Sequence, residues 1–154
     1  MFPEEPDYDL AEFRKSTGDG HGYRFMRYWT AADESGDVGM CGLYSADETA
    51  CWLGWFGVRP VFRRRGYAAA MFRRMEDAAR GMGYKEFRLY TDKAFNRVAY
   101  DMYVRRGMRE DGVYFDDFVT MSKPLVEGHV PAPWKGEPIG FESQPCPAGA
   151  GTFS

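Results

Sequence analysis

The sequence of 154 residues has no long apolar run and few of the residues that usually carry metal or nucleophilic chemistry. No segment approaches the roughly eighteen consecutive apolar residues of a membrane-spanning helix. The only histidines are His21 and His129, and the patterns HExxH, GxSxG, GxxxxGK[ST] and GxGxxG do not occur. These absences disfavour a membrane protein, a bound catalytic metal and serine-histidine hydrolysis.

Cysteine is also scarce. Cys41, Cys51 and Cys146 form no CxxC pair, and three cysteines are too few for a disulfide-stapled secreted domain. We expect Cys41 and Cys51, which lie in strand-like segments, to be small buried hydrophobic residues. The opening MFPEEPDYDL lacks the basic and apolar regions of a secretion signal. A cytoplasmic location is therefore expected.

The formal net charge of −3 gives no long-range attraction to nucleic acid or to anionic membranes, and neither is an expected partner. The charge is unevenly distributed, however. Residues 1–50 hold eleven acids against four bases, whereas residues 59–88 hold nine bases against three acids. An anionic ligand would have to bind locally, in the basic segment.

The first half of the chain predicts a short helix followed by three strands. Residues 7–16 have apolar side chains at helical spacing, and residues 22–31 alternate like a strand. The segment 38–45 follows across the turn-forming DESGD, and a third apolar run covers residues 49–58. We therefore predict an antiparallel meander.

From Gly66 the apolar period changes to three and four residues, which predicts a helix of about four turns that stops near Gly81. A strand over residues 84–91 and a helix over 96–106 follow. Two short strands then surround either EDG or FDD. The order β-β-β-α-β-α-β-β predicts a mixed α+β fold with one β-α-β crossover.

Proline and glycine mark the last part of the chain. Residues 124–154 contain six prolines and five glycines, so we predict no regular elements there. Trp134, Ile139 and Phe141 are too apolar for a fully solvated tail, and they predict contact with the body or with a neighbouring subunit. We predict one domain over residues 1–123 and a tail over residues 124–154.

The turn between the third strand and the first long helix carries the basic run FRRRGYAAA. A helix start leaves N–H groups without partners, and its dipole attracts anions. Gly66 lets a ligand approach the backbone, and the arginines add charge. A solvated helix start and a nucleic-acid patch are the alternatives; the latter needs Arg63, Arg64, Arg65, Arg73 and Arg74 on one accessible face. Placement between an apolar strand and an alanine-rich helix favours an anion cradle.

Two motifs here resemble those of the GNAT superfamily of acyl-CoA-dependent N-acyltransferases. The first is an Arg, two residues, Gly, one residue and Ala, preceded by V-x-P, and it falls on Val58, Pro60, Arg63, Gly66 and Ala68. The second is Asn, two residues, Ala, three residues, Tyr, three residues and Gly, and it falls on Asn96, Ala99, Tyr103 and Gly107. The resemblance covers about residues 20–123.

The resemblance implies a central mixed, mostly antiparallel sheet with flanking helices. It also implies a V-shaped opening, between the strand ending at Val58 and the strand 84–91, that holds the pantetheine of acetyl-CoA. Backbone groups of Phe56, Gly57 and Val58 would contact the pantetheine, which Asn96, Ala99 and Tyr103 would face. The pyrophosphate would bind the N–H groups of Arg63, Arg64, Arg65, Gly66, Tyr67 and Ala68.

Acyl transfer needs a donor for the thioester oxygen, a proton for the thiolate and an unprotonated amine. The N–H of Val58 can serve the oxygen, and Tyr103 can serve the thiolate because a phenol stays protonated at neutral pH. The strand TACWLGWFGV carries no acid. Glu48, Asp92 and the pair Asp116 and Asp117 are the candidates for the base, with water as an equal alternative.

Acids beside aromatics in residues 7–13 and 114–117 favour a cationic acceptor amine. Trp52 and Trp55 belong either to the core or to the site wall. The family commonly places a strand and two helices before the hairpin, where this chain has about twenty residues, a shortened helical region. A sheet edge would then be left for a second subunit, as in a homodimer, or for the tail.

Two functions follow from the sequence. One is an N-acetyltransferase that moves an acetyl group from acetyl-CoA to a primary amine of a small molecule or protein by direct attack on the thioester, with no metal. The other is a non-catalytic acyl-CoA-binding sensor or interaction module of the same fold.

Overall fold

A computed structural model describes residues 24–34 and 36–140. The described elements, in chain order, are the strands and helices β1 (Phe25–Asp33), β2 (Gly36–Ser45), β3 (Ala50–Val58), a short 3-10 helix (Pro60–Phe62), α1 (Tyr67–Gly81), β4 (Glu86–Asp92), α2 (Arg97–Arg105), β5 (Arg109–Phe115) and β6 (Phe118–Pro124). This order confirms the predicted β-β-β-α-β-α-β-β pattern. The helix predicted over residues 7–16 lies outside the described residues.

The six strands form one sheet in the order β1-β2-β3-β4-β6-β5. Every neighbouring pair is antiparallel except β3 and β4, which are parallel and joined through α1, as the predicted crossover requires. The last hairpin turns at FDD, because Phe115 pairs with Phe118 across Asp116 and Asp117. The EDG segment lies within β5, where the pairing register shifts.

Both helices cover one face of the sheet. The buried residues of α1 are Met71, Phe72, Met75 and Ala79, at steps of three and four, and they meet Phe87 and Leu89 of β4 in the larger core. Burying each such large side chain stabilises the fold by roughly 1.5–3 kcal/mol. Cys41 and Cys51 are also buried, which confirms their expected place, and burial raises the pKa of the Cys41 thiol to about 12.

The other face carries a second, smaller core, covered in part by residues of the proline- and glycine-rich segment. Trp134 packs edge-on against Trp52, with ring centroids 5.1 Å apart. The Tyr44 hydroxyl donates a hydrogen bond to the backbone oxygen of Ile139 at 2.5 Å. Residues up to 140 therefore lie against the body of their own chain, without regular secondary structure. Phe141 lies outside the described residues, and the domain boundary at residue 123 stays a prediction.

Arg88 of β4 is a buried cation on this second face, with a side chain only 3% exposed. Its Nε donates to the Glu86 carboxylate, its Nη1 to Asp111 Oδ2 at 2.8 Å, and its Nη2 to the backbone oxygen of Ala132 at 2.7 Å. The guanidinium carbon also lies 5.2 Å from the Trp134 ring centroid. One side chain thus joins β4, β5 and the C-terminal segment.

The two carboxylates bound to Arg88 are satisfied by further partners. Asp111 accepts hydrogen bonds from Thr120 Oγ1 at 2.8 Å and from Ser122 Oγ at 2.6 Å. Glu86 Oε1 lies 2.7 Å from His129 Nε2. Buried charges are tolerated when they are paired and hydrogen-bonded in this way. We call Arg88, Glu86, Asp111 and His129 the Arg88 network.

Replacing Arg88 with methionine is expected to lower the free energy of unfolding by about 3–5 kcal/mol, because Glu86 and Asp111 would stay buried without their cation. Urea unfolding followed by circular dichroism measures the change. The matched control is Arg97→Met, because the Arg97 side chain is 65% exposed and its Nε lies 3.2 Å from Asp101 Oδ1. An exposed pair of this kind contributes at most about 0.5 kcal/mol. Equal losses in the two variants would contradict the central role of Arg88.

Candidate active site

The strands β3 and β4 pair only near their amino ends. Their register contains three residue pairs, Ala50 with Glu86, Cys51 with Phe87, and Trp52 with Arg88. Beyond these pairs the two parallel strands separate toward their carboxyl ends. The structure therefore has the V-shaped opening that the motif resemblance implied.

A bulge shapes the β3 side of this opening. Along β2, Met40 pairs with Gly57 whereas Gly42 pairs with Gly54, so β3 holds one extra residue between those pairs. Trp55, within the bulge, has a φ of 39°, which is unusual for a residue with a side chain. A bulge locally frees backbone groups from the ladder and re-aims side chains.

The backbone of Val58 points into the opening. The N–H of the next residue, Arg59, donates to the Val38 oxygen of β2 at 2.8 Å. Because peptide groups alternate along a strand, the N–H and C=O of Val58 face the opposite edge of β3. Its oxygen accepts a hydrogen bond from Arg63 Nε at 3.2 Å. The Val58 N–H is therefore directed away from β2, as the predicted donor to a thioester oxygen must be.

The turn before α1 exposes a run of backbone donors. Among the described residues, the N–H groups of residues 64–69 donate to no protein acceptor, and the first bond of the helix runs from Ala70 N to Gly66 O at 3.1 Å. Gly66 is the N-cap without a side-chain cap, and no acid occupies the first turn. Arg63, Arg64 and Arg65 are exposed beside these donors. The turn thus presents the donors and positive charge of an anion site.

Gly66 is required at this turn for its backbone angle. Its φ is 84°, and a Cβ added there would meet nothing within 4 Å. A side chain would therefore fit, but the left-handed conformation would be strained. Arg64 adopts a similar φ of 64°. The structure thus adds a requirement for chain direction, and the interpretation that Gly66 lets a ligand approach the backbone closely stays a prediction.

Tyr67 supports the turn with its side chain. Its hydroxyl donates to the Asp33 carboxylate at the end of β1, and this hydrogen bond raises the pKa of Tyr67. Phe62 packs edge-on against the Tyr67 ring, and Arg65 lies over Phe62 at 5.7 Å. The predicted contribution of Tyr67 to the anion site is therefore its backbone N–H.

A cavity of about 310 Å³ lies in the opening between β3 and β4. Its lining includes Phe56, Asn96 and Ala99, which are three of the residues predicted to contact the cofactor. Tyr103 and Asp92, which were predicted to take part in the chemistry, line it as well. The lining residues are Leu53, Gly54, Trp55, Phe56, Leu89, Tyr90, Thr91, Asp92, Phe95, Asn96, Ala99, Tyr103 and Phe118.

Tyr103 of α2 is buried and lines this cavity. Its ring centroid lies 6.1 Å from that of Phe56 and 5.8 Å from that of Phe72. No group in the described part of the chain hydrogen-bonds its hydroxyl, and burial raises its pKa well above the ordinary tyrosine value. The phenol is therefore held in its protonated form, with its O–H available as a donor.

Asn96 and Asp92 lie where β4 passes into α2. Asn96 is the N-cap of α2, yet its side chain makes no capping bond, and it lines the cavity. Asp92 Oδ1 accepts hydrogen bonds from the backbone N–H groups of Ala94 at 3.0 Å and Phe95 at 2.9 Å. Among the lining residues in the described part of the chain, Asp92 supplies the one carboxylate.

The other proposed bases lie elsewhere. Glu48 is exposed and precedes β3, at the end of the strand opposite the opening, roughly 26 Å of extended chain from Phe56. Asp116 and Asp117 are exposed on the turn between β5 and β6. The structure therefore does not bring Glu48, Asp116 or Asp117 into the cavity lining, whereas it does bring Asp92.

The family model described as the acetyltransferase (GNAT) family matches residues 1–108. The chain belongs to the GNAT acetyltransferase family. Among curated proteins, no sequence matches it. The family assignment and the two motifs agree on the same part of the chain.

Solved structures share the fold of this GNAT protein. A protein from Klebsiella pneumoniae described as an acyl-CoA N-acyltransferase has 19% identity and a TM-score of 0.65, covering 82% of this chain and 97% of its own. Spermidine/spermine N-acetyltransferase SpeG from Vibrio cholerae has 13% identity and a TM-score of 0.61, covering 81% and 94%. An aminoglycoside 6'-N-acetyltransferase complexed with coenzyme A has 16% identity and a TM-score of 0.60, covering 84% and 99%.

Sequence patterns did not identify Tyr90 and Phe118 in the aromatic part of the GNAT cavity, and they left Trp55 open between the core and the site wall. Gly54, a glycine inside an apolar strand, is the signal that indicates a bulge and an altered side-chain direction. The structure also separates the two tryptophans of β3. Trp52 is 1% exposed and belongs to the core, whereas Trp55 lines the cavity.

Within residues 24–34 and 36–140, no group of three or more His, Cys, Asp or Glu side chains is placed to hold a metal ion. In the same ranges, no helix has the length and apolar character to cross a membrane.

Burial of the Tyr103 phenol predicts a pH dependence of stability. Burial raises the pKa of Tyr103 in the folded protein. Above about pH 10 the unfolded chain therefore releases this proton before the folded chain does, which stabilises the unfolded state. The free energy of unfolding of the native protein should therefore fall above pH 10 more steeply than that of Tyr103→Phe, by up to about 1.4 kcal/mol per pH unit. Urea unfolding of both proteins between about pH 9 and 11 tests this, and parallel curves would refute a buried phenol.

Proposed function

We propose that this GNAT protein transfers an acetyl group from acetyl-CoA to a primary amine of a small molecule or protein. The observation that carries the proposal is the run of N–H groups from residue 64 to 69, which meet no acceptor in residues 24–34 and 36–140, beside the opening between β3 and β4. An anion-binding turn joined to an open strand edge suits a long ligand with a pyrophosphate at one end and an amide-containing arm at the other.

The residues present fit coenzyme A along its length. The pyrophosphate would accept hydrogen bonds from the turn that contains Gly66, with charge from Arg63, Arg64 and Arg65. The pantetheine amides would pair with the free backbone edge of β3 at Phe56 and Val58, as an added strand pairs with a sheet edge. Gly57, between them, pairs with Met40 on the opposite edge of β3, toward β2. Ala99 and Asn96 would form the opposite wall.

In the proposed reaction, the nitrogen of the free amine attacks the thioester carbonyl carbon, a C–N bond forms and the C–S bond breaks. The Val58 N–H would donate to the carbonyl oxygen as negative charge develops there. The acceptor ammonium loses two protons in all. One ends on the sulfur of coenzyme A and one passes to solvent.

Tyr103 would donate a hydrogen bond to the departing thiolate. A thiol has a pKa of about 8.5, well below that of a buried phenol. Net loss of the Tyr103 proton is therefore unfavourable, and the proton that finally rests on sulfur would come from the product ammonium. The role of Tyr103 is then to stabilise the leaving thiolate and to pass a proton to it without remaining ionised.

Asp92 is the base candidate that the cavity geometry supports. Its Oδ1 is engaged by two backbone N–H groups, so Oδ2 is the oxygen that could accept a proton or attract an ammonium. A water chain to solvent is the alternative path for the proton. Glu48 is disfavoured because it precedes β3 at the far end of the strand.

A non-catalytic acyl-CoA sensor is the second candidate. The feature that favours a sensor is the scarcity of side chains that could act as a general base. The strand β3 contains no acid, and Asp92 already accepts two backbone hydrogen bonds through its Oδ1. Tight binding of coenzyme A without turnover of any amine would identify a sensor.

The anion site is tested by Ala69→Glu, which places a carboxylate within the run of free N–H groups. A Glu in the first helical turn stabilises a helix by about 0.3–1 kcal/mol, but it should repel the pyrophosphate. We expect the Kd for coenzyme A, measured by calorimetry, to rise at least about tenfold, a change of about 1.4 kcal/mol, while Tm is unchanged or higher.

The matched control is Arg73→Gln, which removes one positive charge from an exposed position further along α1. Its Kd should stay within about threefold of the native value. An equal weakening in both variants would indicate a diffuse charge effect and contradict a site at the helix start.

Catalysis is tested with Tyr103→Phe in a thiol-release assay with acetyl-CoA and a panel of amines. Loss of a proton donor typically costs about 10²-fold or more in kcat, whereas the Kd for coenzyme A should stay within about threefold, since the ring is retained. Unchanged kcat would remove Tyr103 from the mechanism. Coenzyme A binding with no thiol release from the native protein would favour the sensor instead.

A further inference from the structure

The cavity reaches both faces of the sheet, because it lies between two separated strands. Tyr103 and Asn96 line it on the helix side. On the other side, Trp55 and Tyr90 pack against the second core, and Phe118 lies beside Tyr90. If the thioester enters along the helix side, the second face is the side from which an acceptor would reach it.

Three aromatic rings on this second face are held by their neighbours. The Trp55 ring centroid lies 4.5 Å from that of Tyr28, and Phe118 stacks on Phe115 at 5.1 Å. Tyr90 is 6.2 Å from Phe118, and its hydroxyl donates to the Gly140 oxygen at 3.4 Å. These contacts fix a wall of flat apolar surface before a ligand arrives, which lowers the entropy cost of binding.

Within residues 24–34 and 36–140, the wall contains a single charge. Asp92 is the one carboxylate that these residues contribute to the cavity lining, and two backbone N–H groups already occupy its Oδ1. Asp116 and Asp117, the acids that follow on the neighbouring turn, are exposed and do not line the cavity. A ligand with several ammonium groups would lose hydration at more charges than the lining could pair.

We propose that the acceptor is a primary amine with one positive charge and an aromatic group. The ring would lie against Trp55, Tyr90 and Phe118, and the ammonium would lie at Asp92 Oδ2, where it loses its first proton before attack. This inference rests on the proposed acetyl transfer, and it selects among amines. It separates this chain from the spermidine/spermine and aminoglycoside acetyltransferases that share its fold.

The bond changes are those of the proposed reaction. The amine nitrogen forms a C–N bond to the acetyl carbon as the C–S bond breaks, and of the two protons lost by the ammonium one goes to the thiolate and one to solvent. No oxidant, reductant or further reactant is needed.

The test compares 2-phenylethylamine, n-butylamine and spermidine as acceptors for the full chain with acetyl-CoA, by initial rates of thiol release. We expect kcat/KM for 2-phenylethylamine to exceed each of the other two by about tenfold or more, since a buried aromatic contact distinguishes it. Equal values for the three amines, or a preference for spermidine, would overturn the proposal.

Two variants locate the subsite. Phe118→Leu should lower kcat/KM for 2-phenylethylamine about fivefold to tenfold, mainly through KM, and change that for n-butylamine by less than about twofold. Val113→Ala, its control, shortens an exposed side chain of β5 outside the lining and should change both values by less than about twofold. Asp92→Asn keeps the Oδ1 acceptor and should raise KM for the amine about tenfold without raising KM for acetyl-CoA. Equal effects of Phe118→Leu and Val113→Ala would overturn the placement.

Binding separates this proposal from the proposed function. Calorimetry with 2-phenylethylamine and protein saturated with coenzyme A should give binding that Phe118→Leu weakens and Val113→Ala does not. If no amine is acetylated but this binding pattern holds, the subsite stands and the acetyl transfer is refuted. If other amines are acetylated and 2-phenylethylamine does not bind, the acceptor proposal is refuted and the acetyl transfer stands.

Discussion

The buried guanidinium of Arg88 is the interaction on which the architecture depends. Arg88 is the last residue of β4 that pairs with β3, opposite Trp52, and the strands separate immediately beyond it. A strand that leaves its neighbour needs other contacts, and β4 has them in the seven-pair ladder with β6 and in the hydrogen bonds of Arg88 to Glu86, Asp111 and the C-terminal segment. Loss of the guanidinium would leave the Glu86 and Asp111 carboxylates buried without their cation, which is costly in a low-dielectric interior.

The opening beside Arg88 combines two features of different origin. The bulge at Trp55 turns the backbone of β3 so that its carboxyl end presents free groups to the cavity, and the turn at Gly66 leaves the start of α1 uncapped. Both are departures from regular structure that cost stability locally. The surrounding packing, with Tyr103 against Phe56 and Phe72, holds them in place. Such departures concentrate at functional sites because regular structure would satisfy the same backbone groups internally.

Local patterns predicted most of the fold and the anion-binding half of the site. The helical period after Gly66 and the alternation in β1 to β3 gave the elements within a few residues, because each depends on neighbours in sequence. The motif positions Asn96, Ala99 and Tyr103 all line the cavity, since one helix places them at fixed spacing. By sequence, Glu48 and Asp92 were equal candidates for the general base. The strand directions distinguish them, because Glu48 precedes β3 whereas Asp92 ends β4, beside the opening. The choice between Trp52 and Trp55 depended on a bulge that no period predicts.

The sequence by itself determined the order of the elements, the family and the basic turn, because these follow from residue spacing over a few turns or strands. The tertiary structure decided the Arg88 network, the contacts of residues 129–140 with the second face, and the aromatic wall at Asp92. The physical reason is separation along the chain. Arg88 meets Ala132, and Tyr44 meets Ile139, across 44 and 95 residues, and such partners are chosen by strand order and register rather than by any local pattern.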